Sequence, residues 1–230
     1  MCGRATLTTS PEDLREAFAI DVMPAMPPRF NVAPTQPIAV VRSPGVLELL
    51  RWGLVPSFAD EPGRGPPHVN ARAETVRTNP IFRHAFAKQR CVVLVDGFYE
   101  WKPIGKATIG PRGGKHPPKK QPFHLRRADG KPFALAGLWE RWRSRSGEVI
   151  ESCAIVTCAA RGVVATLHGR MPVVIEKSEL ESWMRGSADE AWALLTPRDP
   201  HLVAHAVSTL VNDAKIDDPR CVDPEPSTPS

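Results

Sequence analysis

This 230-residue sequence contains no run of eighteen apolar residues, and its five cysteines include no CxxC or other paired metal-ligand spacing. The first absence leaves no candidate for a membrane-spanning helix. A secretory signal is missing too, because the first twenty residues already hold Arg4, Glu12, Asp13, Arg15 and Glu16. An odd, unpaired set of cysteines argues against a disulfide framework or a structural metal site, and for a reducing, cytoplasmic setting. Cys153 and Cys158 are five residues apart and would face opposite sides of one strand, so both read as core. Acid is absent from residues 102–127, which carry eight Lys or Arg. That composition suits either a solvated, flexible insertion or contact with a polyanion. No internal repeat is present.

Proline is the abundant residue. Its 25 copies favour turns and irregular connections over a helical bundle. Hydrophobic residues at 42% and charged residues at 24% are enough for a globular core. The expected organisation is one domain over residues 1–212, with the basic insertion 102–127, and a disordered tail over 213–230 rich in Pro, Asp, Glu and Ser. The net charge of +5 is uneven. From Asn212 onward five acids face only Lys215 and Arg220, which leaves residues 1–211 at about +8.

Short helices are predicted after Ser10-Pro11, capped by the serine, and after Asn79-Pro80, with Ile81, Phe82, Ala85 and Phe86 inward. Two more are expected from the capping boxes that begin at Ser178 and Ser187. Strands are predicted over Ile38–Val41, Val46–Trp52, Cys91–Trp101, Pro132–Trp139, Val149–Cys158, Val173–Ile175 and His201–Ser208. Asn70, Arg72 and Glu74 would share one face of an extended run. This pattern predicts an α+β fold with a curved, largely antiparallel, barrel-like sheet and short peripheral helices.

Cys2 carries the most distinctive chemistry. Once Met1 is removed it becomes a 1,2-aminothiol, with an amine of pKa about 7.7–8.0 beside a thiol near 8.5. Such a pair captures aldehydes: the amine condenses to a Schiff base and the sulfur closes a thiazolidine on the same carbon. A buried N-terminal residue of no chemical consequence is the alternative. Glu100, at the end of an apolar strand, reads as a structural acid or as a proton carrier. His168, Asn70, Arg72 and Arg170 each admit a structural role as well.

Six ordered blocks, Cys2-Gly3-Arg4, Arg29–Thr35, Arg51–Pro56, Asn70–Thr75, Asp96–Trp101 and His168–Pro172, together resemble the SOS response-associated peptidase (SRAP) family, from residue 2 to about Asn212. Gly169 departs from the family's usual aspartate. The resemblance implies a DNA-damage protein that binds single-stranded DNA and crosslinks its N-terminal cysteine to the aldehyde of an abasic site, with self-processing peptidase and weak lyase activities. By the same resemblance Cys2 supplies amine and thiol, Asn70 positions sugar and cysteine, Glu100 gives and takes protons, and His168 assists. Arg4, Arg72 and Arg170 would bind phosphates, and Trp101, Phe58 and Pro34 would stack on or wedge between bases. The expectation is a monomer without cofactor, metal or membrane partner, nucleoid-associated when bound to abasic single-stranded DNA. A cysteine peptidase acting in trans and a noncovalent DNA reader remain the alternatives, and the sequence leaves open whether Met1 is removed autocatalytically.

Overall fold

The computed structural model describes residues 2–62, 65–105, 108–109 and 115–225. The chain opens with β1 (Ala5–Leu7), α1 (Pro11–Phe18), β2 (Arg29–Val32), β3 (Pro37–Ser43), β4 (Val46–Trp52) and β5 (Asn70–Arg72). It continues through α2 (Arg83–Lys88), β6 (Arg90–Val95), β7 (Gly97–Ile104), the two-residue β8 (Thr108–Ile109) and β9 (Lys115–His116), and β10 (Lys119–Arg127). Then follow β11 (Phe133–Arg143), β12 (Val149–Ala159), β13 (Arg170–Pro172), β14 (Val174–Ile175), α3 (Leu180–Arg185), α4 (Ala188–Ala193) and β15 (Leu202–Ala206).

Pairing runs β12–β4–β3–β6–β11 and returns from β11 to β12, so these strands close into a barrel. Closure removes the exposed edges of an open sheet. The register β12–β4 is parallel and its neighbours in the ring are antiparallel. β-Branched and aliphatic residues with no exposure, among them Val40, Val93, Leu135 and Ile155, form the core. A second sheet, ordered β15–β10–β7–β1–β2, is antiparallel throughout. The α+β, barrel-like expectation therefore holds.

Several local expectations change. Cys91–Trp101 is two strands in two sheets, because the chain turns at Asp96 from β6 in the barrel to β7 in the second sheet. Alternation alone cannot reveal such a corner when both segments are buried on both faces. The extended run at 70–75 ends at Arg72, and Ala73–Thr75 form a 3-10 turn. Ser178 caps nothing; the capping box there joins Glu176 and Glu179. Asn79 accepts from Ile81 N at 2.9 Å, but the helix proper begins at Arg83. The N-cap at Ser10 and the capping box at Ser187 form as expected.

The second half of the basic insertion is a central strand, β10, with Leu125 buried between β7 and β15. Residues 213–225 pack on the body, in contrast to the disordered tail expected, while 226–230 lie outside the described residues. Asp217 accepts from the backbone N–H of Phe30 (2.6 Å) and Asn31 (2.9 Å), Asp218 caps a 3-10 turn, and Cys221 is fully buried. Composition read these acids as solvated, whereas each serves as an acceptor for otherwise unpaired backbone donors.

Candidate active site

β1 brings the amino-terminal segment against β7. The register pairs Ala5 with Phe98 and Thr6 with Gly97, and Tyr99 N donates to Arg4 O at 3.0 Å. Continued by two residues, that register lays Cys2 and Gly3 beside Glu100 and Trp101. From the other side, parallel pairing of β5 with β12 sets Asn70 opposite Ile155, and its Nδ2 donates to Cys2 O at 2.7 Å. The backbone of Cys2 is thus held between the two sheets. Cys2 itself has no exposed surface.

Glu100 is 1% exposed. Burial pushes its carboxyl up from the ordinary 4.5, opposed in part by His168. Burial likewise drives the Cys2 thiol well above its usual range, and the negative charge of Glu100 adds to the rise. These couplings bring Cys2, Glu100 and His168 into one electrostatic neighbourhood, with Asn70 tied to it by its hydrogen bond. His168 Nδ1 stands 3.0 Å from Arg170 N and 3.2 Å from Arg170 O, so the backbone of Arg170 holds the ring in place. A Cβ at Gly169 would meet nothing within 4 Å; the position has room for an aspartate.

The arginines divide. Arg4 is turned inward, donating to Asn31 Oδ1 at 2.8 Å, to Asn212 O at 3.1 Å and to Val211 O, while Asn31 Nδ2 donates to the carbonyls of residues 211, 213 and 216. In this structure it braces the C-terminal segment. Arg170 makes a forked pair with Glu74 and donates to Thr157 O at 2.6 Å. Arg72 is exposed, on a groove of about 530 Å³ lined by Asn70, Thr75, Thr78, Asn79, Pro80 and Phe82. Trp101 is half-buried, with Nε1 donating to Asn212 Oδ1 at 2.7 Å; Pro34 is half-buried and Phe58 is 67% exposed. Thr35, beside Pro34, has φ of 73°, a strained conformation for a β-branched residue and one that clusters at ligand-binding turns.

Sequence reasoning assigned nothing to Thr6, Asn31 or His124. Thr6 Oγ1 donates to Asp96 Oδ1 at 2.5 Å and stands 3.2 Å from His124 Nε2. A Cβ at Gly97 would fall 2.1 Å from that nitrogen, so this corner requires glycine. No side-chain periodicity announces it.

Comparison with known proteins assigns the chain to a family. The model of the SOS response associated peptidase (SRAP) family matches residues 1–214. The chain belongs to the SRAP family. Abasic site processing protein YoqW of Bacillus subtilis (strain 168) is 34% identical over 97% of this chain and 99% of its own length. Abasic site processing protein YedK of Escherichia coli (strain K12) is 31% identical over 80% of each chain. Among solved structures, a protein from Bacteroides thetaiotaomicron has a TM-score of 0.80 at 22% identity, covering 97% of this chain and all of that one, which shows the shared fold. One from Bordetella bronchiseptica has a TM-score of 0.75 at 28% identity over 90% of this chain and all of its own. The candidate site lies across the seam between barrel and second sheet. Among the described residues no group of three His, Cys, Asp or Glu could hold a metal ion, and no helix is long and apolar enough to cross a membrane.

Proposed function

We propose that this protein processes abasic sites in single-stranded DNA, joining Cys2, after loss of Met1, to the ring-opened sugar as a thiazolidine. The observation that carries the reading is the convergence of Cys2 with Asn70, Glu100 and His168 beside a groove that bears Arg72. The names of the similar proteins point to the same substrate.

The chemistry follows from the protonation states. While Met1 remains, the nitrogen of Cys2 is an amide and cannot form an imine. The burial of Cys2 belongs to that unprocessed chain; cutting the Met1–Cys2 bond removes a residue from beside it and leaves an amine. That amine adds to the aldehyde to give a carbinolamine. Glu100, whose hold on its proton is strengthened by burial, donates that proton as hydroxide leaves, so that water and an iminium form. The thiol then adds to the same carbon, and its proton passes to Glu100, restoring the acid. One amine, one thiol and one aldehyde thereby give a thiazolidine and one water. Asn70 fixes the cysteine backbone, and His168 moves protons near the sugar or its phosphate. Arg72, together with Arg170 and Arg4 once exchanged from their internal partners, supplies phosphate contacts, and Trp101, Phe58 and Pro34 contact bases.

A cysteine peptidase acting in trans needs a thiolate near neutral pH, whereas an amine-first reaction has no such need. Removal of Met1 by the protein itself, with Glu100 assisting, and weak β-elimination from the Schiff base belong to the same reading. Incubation of processed protein with an abasic oligonucleotide should give a heat-stable adduct that is lost in Cys2→Ala and on N-acetylation of Cys2. An adduct that survives both would overturn the reading.

A further inference from the structure

β7 does more than carry Glu100. Beyond Trp101 it leaves the body of the protein, still paired in register with β10: Lys102 faces Gln121, Pro103 faces Lys120 and Ile104 faces Lys119. Lys102, Pro103, Ile104, Lys119 and Lys120 are all exposed, Ile104 at 52%. The two strands thus form an arm at the margin of the site.

Strand alternation sorts the arm into two faces. Residues 100, 102 and 104 share one, and their partners Phe123, Gln121 and Lys119 lie on the same side. The face that begins at Glu100 therefore continues outward as Lys102, Gln121, Ile104 and Lys119: two ammonium groups, an amide and an exposed aliphatic side chain, with no acid. Lys120 belongs to the opposite face. At about 3.3 Å per residue, Lys102 stands about 7 Å and Lys119 about 13 Å along the arm from Glu100. With about 3.4 Å per nucleotide in a stacked strand, these are about two and four nucleotides away. An amphipathic strip of this kind, polyamine-like in charge and aligned with the reacting centre, fits a nucleic-acid backbone with a base resting on the aliphatic patch.

We infer that the β7–β10 arm is a second DNA contact, in which Lys102 and Lys119 hold phosphates of the strand flanking the lesion, about two to four nucleotides from the bond-forming carbon. The inference rests on the DNA reading above and extends it by assigning a footprint and a face. The arm touches no reacting atom, so its effect belongs to binding and not to the covalent step.

The test is salt-dependent binding of an undamaged 12-nucleotide single strand, alongside adduct formation on an abasic strand of the same length. The double variant Lys102→Gln/Lys119→Gln should lower the slope of log affinity against log salt by about 1.4, at about 0.7 per single-strand phosphate. It should leave the adduct rate at saturating DNA unchanged, which also reports that the fold is intact. Lys120→Gln, on the opposite face, should leave the slope unchanged. A three-nucleotide abasic strand, too short to reach Lys119, should bind wild type and the double variant with a far smaller difference. The inference is overturned if the double variant keeps the wild-type slope, or if Lys120→Gln lowers it as much as one strip lysine is expected to. Failure of wild type to form any adduct would strike the function proposed above, whereas adduct formation with unaltered salt dependence would strike the arm alone.

Discussion

Two buried acids stand four residues apart, and the protein treats them in opposite ways. Asp96, 8% exposed at the corner between β6 and β7, is surrounded by donors: Thr6 Oγ1, the backbone N–H and hydroxyl of Thr8, and the backbone N–H and hydroxyl of Thr9. Glu100 lies against a wall that pushes its proton affinity up. A carboxylate supplied with donors is a fastening, because its charge is solvated by the fold itself. One stripped of water is a proton reservoir. Asp96 therefore fixes the path of β1, and with it the approach of Cys2, while Glu100 is the acid that meets the chemistry in the proposed reaction.

The largest effect that would sharpen this contrast is on rate. Glu100→Gln keeps shape and removes the exchangeable proton, and adduct formation should fall by about 10²-fold or more at saturating abasic DNA. The same substitution should not destabilise the fold. Because the carboxyl is raised in the folded state, the native protein binds the proton more tightly than the unfolded chain does, and the contribution of Glu100 to stability falls as pH rises above about 4.5. Glu100→Gln should accordingly melt at or above the wild-type temperature at pH 7–8, and the difference should vanish below pH 4.5. A clear loss of Tm at neutral pH would place Glu100 with Asp96 as a fastening.

Asp96→Ala should show the reverse pattern. It takes the carboxylate from the donors of buried Thr6 and half-buried Thr8 and Thr9 and should cost about 3 kcal/mol, measured by denaturant unfolding. Its adduct rate, measured well below its Tm, should fall by less than that of Glu100→Gln. Smaller still, Asn70→Ala should slow adduct formation by about tenfold, through loss of the hydrogen bond that holds Cys2 O. The smallest effect is expected at the groove: Arg72→Ala should lower the salt slope of single-strand binding by about 0.7, and Gly169→Asp should be accommodated with unchanged Tm, since the space around it is open.

The two acids were not distinguishable by type or neighbours along the chain. Both lie in Asp96-Gly97-Phe98-Tyr99-Glu100-Trp101, and alternation placed them on one face of one strand. The sheet change at Asp96 depends on donors from residues 6, 8 and 9, nearly ninety positions away, which no local period encodes. Strands whose apolar runs were bounded by turns, such as β3, β11 and β12, were legible because burial on both faces over much of their length leaves a continuous hydrophobic signature. The meeting of Cys2, Asn70, Glu100 and His168 was legible only through the ordered blocks. The inward turn of Arg4 and the packing of residues 213–225 were hidden, since both depend on polar groups that composition assigns to solvent. Lys102 and Lys119 shared a basic stretch in the sequence, but only the β7–β10 register sorts them from Lys120.

The central claim is that Cys2 reacts through both nitrogen and sulfur once Met1 is gone, and intact mass spectrometry after incubation with an abasic single-stranded oligonucleotide tests it directly. The account predicts one species, at the mass of the chain without Met1 plus the oligonucleotide less one water, stable to heat without borohydride. An adduct on a chain that retains Met1, or a processed chain that remains unmodified at saturating DNA, would contradict it.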